Sequence, residues 1–291
     1  VKISIAILCY NYGRFLSRAI ESALAQHNVS DAELEILVID DGSTDETPDV
    51  CARYGTGIRV HRSANEGFGA SLTKAIRYAS GDYICLLDAD DYFAPDKLAT
   101  LLPEIRKGML YIDHWQWWVD ADDHLIDGPC HGGNTSTICV NRIAALDLLP
   151  IENEVSFQII LRAGYGVRLS QPLGYYRKHN SSMTDRNRPG VQNDYLAGVH
   201  HRVAARLRQL SPLPQCISST REARRLAYHY EALGYYNELE AALERHQRIA
   251  SWVACCRMLS TAVRSKRGVS GLNVRMVAKT ILSRPSFPKK G

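Results

Sequence analysis

The residues best suited to chemistry stand at the end of one apolar run, where Tyr83-Ile84-Cys85-Leu86-Leu87 leads directly into Asp88-Ala89-Asp90-Asp91. Leu86 and Leu87 read as buried strand. The three carboxylates should therefore emerge at the carboxyl end of that strand, the edge where open α/β sheets bind ligands. Carboxylates this close repel one another. A divalent cation is the usual compensation, and hard oxygen ligands select Mn2+ or Mg2+. An acidic turn ahead of a helix, helped by Pro95 and Asp96, is the other reading of the same residues. Two further apolar runs end in polar groups of the right kind: Ile3 to Leu8 runs into Cys9-Tyr10-Asn11, and Glu35 to Ile39 into Asp40-Asp41-Gly42. A tyrosine there can stack on a base, and a carboxylate can accept from a base or a ribose hydroxyl.

The elements that must position these groups follow from the spacing. Strand-like runs at Ile3–Leu8, Glu35–Asp40 and Ile58–His61 alternate with helical patterns, the first with Phe15, Leu16, Ala19, Ile20, Ala23 and Leu24 on one face. Ser43 and Glu46 have capping-box spacing. Asn65-Glu66-Gly67-Phe68-Gly69 opens a helix through Ala79. Such alternation predicts an α/β fold with a mostly parallel sheet flanked by helices. The glycines at 67 and 69 are too irregular for a dinucleotide fingerprint or a P-loop, so a metal held by Asp90 or Asp91 is the expected partner of a diphosphate.

Composition narrows the class. The chain has 291 residues and a net charge of +4, room for one large α/β domain and an appendage. It has no apolar run of about 18 residues, as a membrane span would require. A start that enters a strand at once predicts no secretory signal. Eight scattered cysteines without zinc spacing predict free thiols, buried at Cys9 and Cys85, and a cytoplasmic location. Residues 1–185 carry 16 Lys+Arg against 25 Asp+Glu, whereas residues 186–291 carry 19 against 6. This asymmetry predicts a boundary near Arg186–Gly190, with a domain over 1–189 and a helical basic appendage over 190–291.

Ile5-Ala6-Ile7-Leu8-Cys9-Tyr10-Asn11, Ser22–Gln26, Val38-Ile39-Asp40-Asp41-Gly42-Ser43-Thr44-Asp45, Asn65-Glu66-Gly67, Gly81–Ile84, Leu87–Asp91 and Tyr176-Arg177-Lys178-His179-Asn180-Ser181-Ser182 together resemble the family 2 glycosyltransferases of the GT-A fold. The resemblance spans roughly residues 1–185. It implies a GT-A-like domain with a nucleotide-sugar half over about 1–93 and an acceptor half over about 94–189. It also implies metal-assisted, inverting transfer of a sugar from a nucleotide-diphosphate donor, UDP-linked, to a saccharide or lipid-linked acceptor. By motif, Tyr10 stacks on the base beside Asn11, Asp41 meets its imide, and Asp88 and Asp90 bracket ribose and diphosphate. Asp90 or Asp91 would hold the metal, with His179 near it. The family places its catalytic base before the Tyr-Arg-x-His segment, and Glu154 in Glu152-Asn153-Glu154 is the best match. Glu152 is the nearby alternative, and helix-terminus charge is the structural one.

Met109 to Val119 has strand spacing, with Trp115 and Trp117 on one side as candidate acceptor-sugar contacts and His114 and Trp118 on the other. His131–Ser136 reads as a flexible loop suited to an acceptor lid, and Ser181–Arg188 as a loop that could order over donor. Beyond Gly190 the pattern is helical: Val191–Leu210, a helix from a Ser219/Glu222 capping box to a stop at Gly234, and then Asn237–Ala250. The acid-free stretch over 257–290 suits an anionic membrane surface. It lacks the interleaved aromatics of a nucleic-acid binder. A nucleotidyltransferase and a non-catalytic nucleotide-sugar-binding homologue are the rival functions.

Overall fold

The structure is a computed structural model that describes residues 1–27, 29, 32–179 and 188–265. The chain divides into two compact units, Val1–Ser182 with Pro214–Cys216, and Met183–Leu213 with Ile217–Gly291. The loop expected over Ser181–Arg188 and most of the basic stretch lie outside the described residues.

In the first unit, β1 (Lys2–Cys9), β2 (Glu33–Asp40), β3 (Arg59–Arg62) and β4 (Tyr83–Asp88) are parallel neighbours, connected through α1 (Gly13–Leu24), α2 (Thr47–Ala52) and α3 (Phe68–Tyr78). Ile3, Ile5, Ala6 and Ile7 of β1 and Ile84 to Leu87 of β4 are fully buried. Covered on both faces, such strands need unbroken apolar runs rather than alternation. On α1, Phe15, Leu16, Ala19, Ile20 and Ala23 are buried, whereas Leu24 is exposed.

Past β4 the chain forms β5 (Tyr92–Phe93), α4 (Lys97–Arg106), β6 (Tyr111–Val119), β7 (Leu125–Cys130), β8 (Cys139–Asn141), α5 (Arg142–Leu146), α6 (Gln158–Arg162) and β9 (Gly166–Arg177). They extend the sheet in the order β3-β2-β1-β4-β8-β6-β9-β5, with β7 paired to β6. Here the pairing is mixed: β8 runs antiparallel to β4 and β6, while β6 and β9 are parallel.

The second unit contains α7 (Val191–Gln209), α8 (Thr220–Glu244) and α9 (Arg248–Ser265). Ser219 caps α8 as expected, its Oγ accepting from Glu222 N–H at 3.2 Å. The stop expected at Gly234 is absent, and α8 runs through it. A Cβ at Gly234 would lie 2.6 Å from the His201 ring. The glycine thus serves close helix approach, at the expense of local propensity. Among the described residues, no helix is long and apolar enough to cross a membrane. All eight cysteines are free, with Cys9 and Cys85 buried.

Candidate active site

The carboxyl ends of β1 and β2 are knitted together by Asn11 and Ser43. Asn11 takes a left-handed conformation, φ 57°, which asparagine tolerates better than most residues. Its N–H donates to Ser43 Oγ at 2.9 Å, and its Oδ1 accepts from Thr44 N–H at 2.8 Å. Tyr10 beside it is 46% exposed, free to offer its ring to a ligand. Ser43 is therefore engaged elsewhere and caps no helix. Asp45 instead accepts from the first N–H of α2, Thr47, through Oδ1 and from that of α1, Gly13, through Oδ2.

Asp40 and Asp41 both turn inward. Asp40 accepts from Ser43 N–H at 2.8 Å and faces Arg62 Nε at 3.3 Å. Asp41 is 3% exposed, with Oδ1 accepting from Glu66 N–H at 3.1 Å and Oδ2 from Gly67 N–H at 2.8 Å. Asp41, expected to meet the base, accepts from the protein's own amides through both oxygens, with Lys74 Nζ 3.7 Å from its Oδ1. Gly42, at φ 81°, permits the arrangement, since a Cβ there would lie 2.7 Å from Asn65 N.

The acidic motif splits in the same way. Asp90 is half-buried, and its Oδ2 lies 3.0 Å from His179 Nε2. The imidazole packs edge-on to Tyr12 and against Phe15. Asp91 is buried and points the other way. Its Oδ2 accepts from the Ser136 hydroxyl at 2.5 Å and its Oδ1 from Arg177 N–H at 2.8 Å. Asp91, expected among the metal ligands, is thus held by the core through both of its oxygens. Asp91→Asn is expected to cost about 1–3 kcal/mol of stability, since an amide oxygen can serve only one of those donors. Urea titration of the variant beside wild type checks it; an unchanged midpoint refutes the anchoring role.

Ser136 lies in a buried 3-10 turn, Thr135–Thr137, so the segment expected to be a flexible lid ends in a wedge beneath the motif. Asp88 N–H donates to Ser136 Oγ at 3.1 Å, and the Thr135 side chain hydrogen-bonds the Asp88 carboxyl. The Ser136 carbonyl accepts from Lys97 Nζ at 2.9 Å. Lys97 is fully buried, rests its ammonium 3.3 Å from the Phe93 ring centroid, and is lowered to about 8 by that burial. Sequence reasoning missed Lys97, because a lysine after Pro95-Asp96 reads as a solvated helix start. Arg177, quoted in the Tyr-Arg-x-His segment without a role of its own, is a second buried cation. Its guanidinium donates to the carbonyls of Asp90 at 2.8 Å and Ala121 at 2.9 Å and pairs with Asp123 at 2.6 Å.

Glu154 comes to this edge from the far side of the sequence. It opens a 3-10 turn, Glu154–Phe157, capped by Asn153, whose Oδ1 accepts from Val155 N–H at 3.0 Å. The preceding backbone lies against α3, where a Cβ on Gly69 would meet Glu152 Cα at 2.8 Å. That contact accounts for the second glycine of the irregular Gly67-Phe68-Gly69 segment. Glu154 Oε2 is buried with no hydrogen-bond partner, and burial pushes its carboxyl up to about 7. The Asp88 carboxyl is raised well above the usual range, first by burial, then by the charges of Asp91, Asp90 and Glu154. Glu152 is exposed. Of the two candidates, Glu154 is the one with a buried, unpartnered oxygen.

On β6 the expected alternation is broken by register shifts between His114 and Trp117. His114 is buried, while Trp115, Trp117 and Trp118 are each half-buried. Asp120, Asp122 and His124 also lie within 4.8 Å of one another, in an exposed turn. Asp120 there already accepts from the N–H groups of Asp122 and His124, so the cluster is accounted for by the turn itself.

A parallel βα half with polar strand ends, followed by a mixed half that returns a buried carboxylate to the same edge, defines a GT-A-like glycosyltransferase fold. Residues 4–127 match the Glycosyl transferase family 2 model, and this part of the chain is a family 2 glycosyltransferase domain. An uncharacterized glycosyltransferase of Nostoc sp. is 36% identical over 132 residues, covering 44% of this chain and 40% of that protein. Chondroitin synthase of Escherichia coli is 36% identical over 110 residues, 37% of this chain and 16% of the synthase. The chain spans less than half the length of the curated relatives it matches. Staphylococcus aureus TarS residues 1–349, solved with UDP-GlcNAc, superposes with a TM-score of 0.62 at 13% identity, covering 97% of this chain and 91% of that one. A Pyrobaculum calidifontis mannosyltransferase solved with GDP-Man and Mn2+ gives 0.53 at 15% identity, covering 91% and 87%.

Proposed function

We propose that this protein transfers a sugar, with inversion, from a nucleotide-diphosphate donor to a hydroxyl of a saccharide or lipid-linked acceptor. The observation that carries the reading is Glu154, a carboxyl raised to about 7 with a buried, unpartnered oxygen, close enough to Asp88 for their charges to interact. Inversion needs a base that removes the acceptor proton on the face opposite the leaving group, and a carboxyl poised near neutral pH suits that task. Tyr10 stacks on the base, and Asp88 and Asp90 face ribose and diphosphate. Trp115 and Trp117 offer aromatic faces to the acceptor. The nucleotide half runs over about 1–93 and the acceptor half over about 94–189, with α7, α8 and α9 beyond. Free cysteines throughout favour a cytoplasmic enzyme.

The acidic edge also fits a divalent cation. Asp88, Asp90 and Glu154 gather carboxyl groups at one edge, and Asp90 with His179, 3.0 Å apart, supplies an oxygen and a nitrogen donor on one side. Those two residues would hold Mn2+ or Mg2+, which acts as a Lewis acid toward the charge gathering on the departing nucleoside diphosphate. UDP is the favoured nucleotide, since TarS was solved with UDP-GlcNAc. A nucleotidyltransferase would release pyrophosphate instead and has no use for a base at Glu154.

A screen of nucleotide sugars for release of UDP, GDP or dTDP tests the reading directly; no release with any donor refutes it. UDP with Mn2+ is expected to raise the melting temperature more than either alone. At 100 times the dissociation constant the stabilisation is about 2.7 kcal/mol. Asp90→Asn should remove the Mn2+-dependent part, and a full shift in that variant takes Asp90 out of the metal site.

A further inference from the structure

Helix α9 is amphipathic in an unusual place. One face is packed: Ala254, Cys255 and Met258 are buried and cluster with Leu239 of α8. The other carries large apolar groups into solvent, with Ile249 82% exposed, Trp252 50%, Val253 44% and Val263 72%. Cys256 between them is exposed too. At about 100° per residue, these five positions fall within an arc of about 100°. Exposed Arg257 and Arg264 stand along one border of that arc.

The charge of the surrounding sequence says what such a stripe can meet. After Glu244 the chain has no Asp or Glu through residue 291 and has 11 Lys+Arg. An apolar stripe bordered by arginines, in a segment without acids, is the pattern of a helix lying in the interface of an anionic bilayer. Tryptophan is favoured at that depth, where its ring is buried and its N–H stays wet. Repulsion among so many like charges disfavours pairing the same face with a second copy of itself, while anionic headgroups neutralise them.

We propose that the exposed face of α9, centred on Ile249, Trp252 and Val263, is a docking surface for anionic lipid, with Arg257 and Arg264 at its border meeting the headgroups. This goes beyond the glycosyl-transfer reading and stands independently of it, because the test does not measure turnover. It also differs from a purely electrostatic tail, since the apolar stripe must enter the bilayer.

The experiment compares the full chain with Ile249→Glu/Trp252→Glu, both exposed positions that leave the packed face of α9 intact. Co-sedimentation with vesicles of phosphatidylglycerol and phosphatidylcholine is measured beside vesicles of phosphatidylcholine alone. Wild type is expected to bind the anionic vesicles, to bind neutral ones poorly, and to lose affinity as salt shortens the Debye length below about 10 Å. The double variant is expected to bind anionic vesicles at least about tenfold more weakly. Ile249→Ser, a milder change read in parallel, should lose less in the same direction, so the result does not depend on the double variant's fold. Undiminished binding by both variants overturns the proposal and leaves electrostatics alone. No binding by wild type, or equal binding to neutral vesicles, also overturns it. So does a wild-type dimer in sedimentation velocity that the double variant dissolves without loss of vesicle binding, which would make the stripe a contact between copies.

Discussion

Glu154→Gln is expected to lower kcat at least about a hundredfold while leaving the protein more stable above neutral pH. The catalytic part follows from the amide, which keeps the size and hydrogen bonds of the carboxylate but cannot take the acceptor proton. The stability part follows from linkage. Burial raises the Glu154 carboxyl from 4.5 to about 7, so the folded state holds a proton more tightly than the unfolded chain. That contribution is fully present below pH 4.5 and is lost as pH rises through 7. Above that point the fold carries a desolvated charge whose removal is worth at most roughly 3 kcal/mol. In wild type, kcat/KM should rise with pH through about 7 as the base ionises; in the variant that limb should vanish. Melting curves and pH–rate profiles of both proteins check the pair of effects. Normal turnover, or a limb that survives near neutrality, would assign the base elsewhere. Glu152→Gln should be nearly silent, because that side chain is exposed.

Arg177→Ala is expected to be the most destabilising single change at the site. The Arg177 side chain is 3% exposed. Its guanidinium ties the Asp90 carbonyl to the turn at Asp120–Asp123 and lies over the rings of Phe15, 4.7 Å, and Tyr92, 5.6 Å. Its ion-pair partner Asp123 is 38% exposed, so the cost lies in the guanidinium's lost hydrogen bonds to the Asp90, Asp120 and Ala121 carbonyls. Those are worth about 1.5–3 kcal/mol each for a charged donor and about 3–5 kcal/mol together, a large share of the 5–15 kcal/mol or so that holds a domain together. The melting temperature should fall by roughly 6–20 °C for a chain of this size. Arg177→Lys should recover only a minor part, since an ammonium cannot reproduce a planar fork that reaches three carbonyls and a carboxylate at once. Differential scanning calorimetry of the three proteins measures this. A lysine variant that melts with wild type would reduce Arg177 to a simple counter-charge.

The sequence alone determined the first half of the sheet and the edge where the site forms. Unbroken apolar runs at Ile3–Leu8, Glu35–Asp40 and Tyr83–Leu87, separated by helical periods, specify buried parallel strands by short-range pattern. Polar groups directly after such runs must emerge at the carboxyl edge, and Tyr10, Asn11, Asp88 and Asp90 do stand at the ends of β1 and β4. Glu154 was legible only through family resemblance, and its burial is a tertiary fact. Which carboxylates turn to the protein's own groups was decided entirely by the fold. Asp41 turns to amides 25 and 26 residues on, and Asp91 to Ser136 and Arg177, 45 and 86 residues away. Lys97 is buried because the Ser136 carbonyl, 39 residues on, accepts from it. Gly234 continues a helix instead of ending it because His201 packs where a side chain would be. In each case the side chain's role is set by a partner distant in the chain. Local spacing carries no record of such partners, since contact across a sheet or between helices depends on how the elements are stacked.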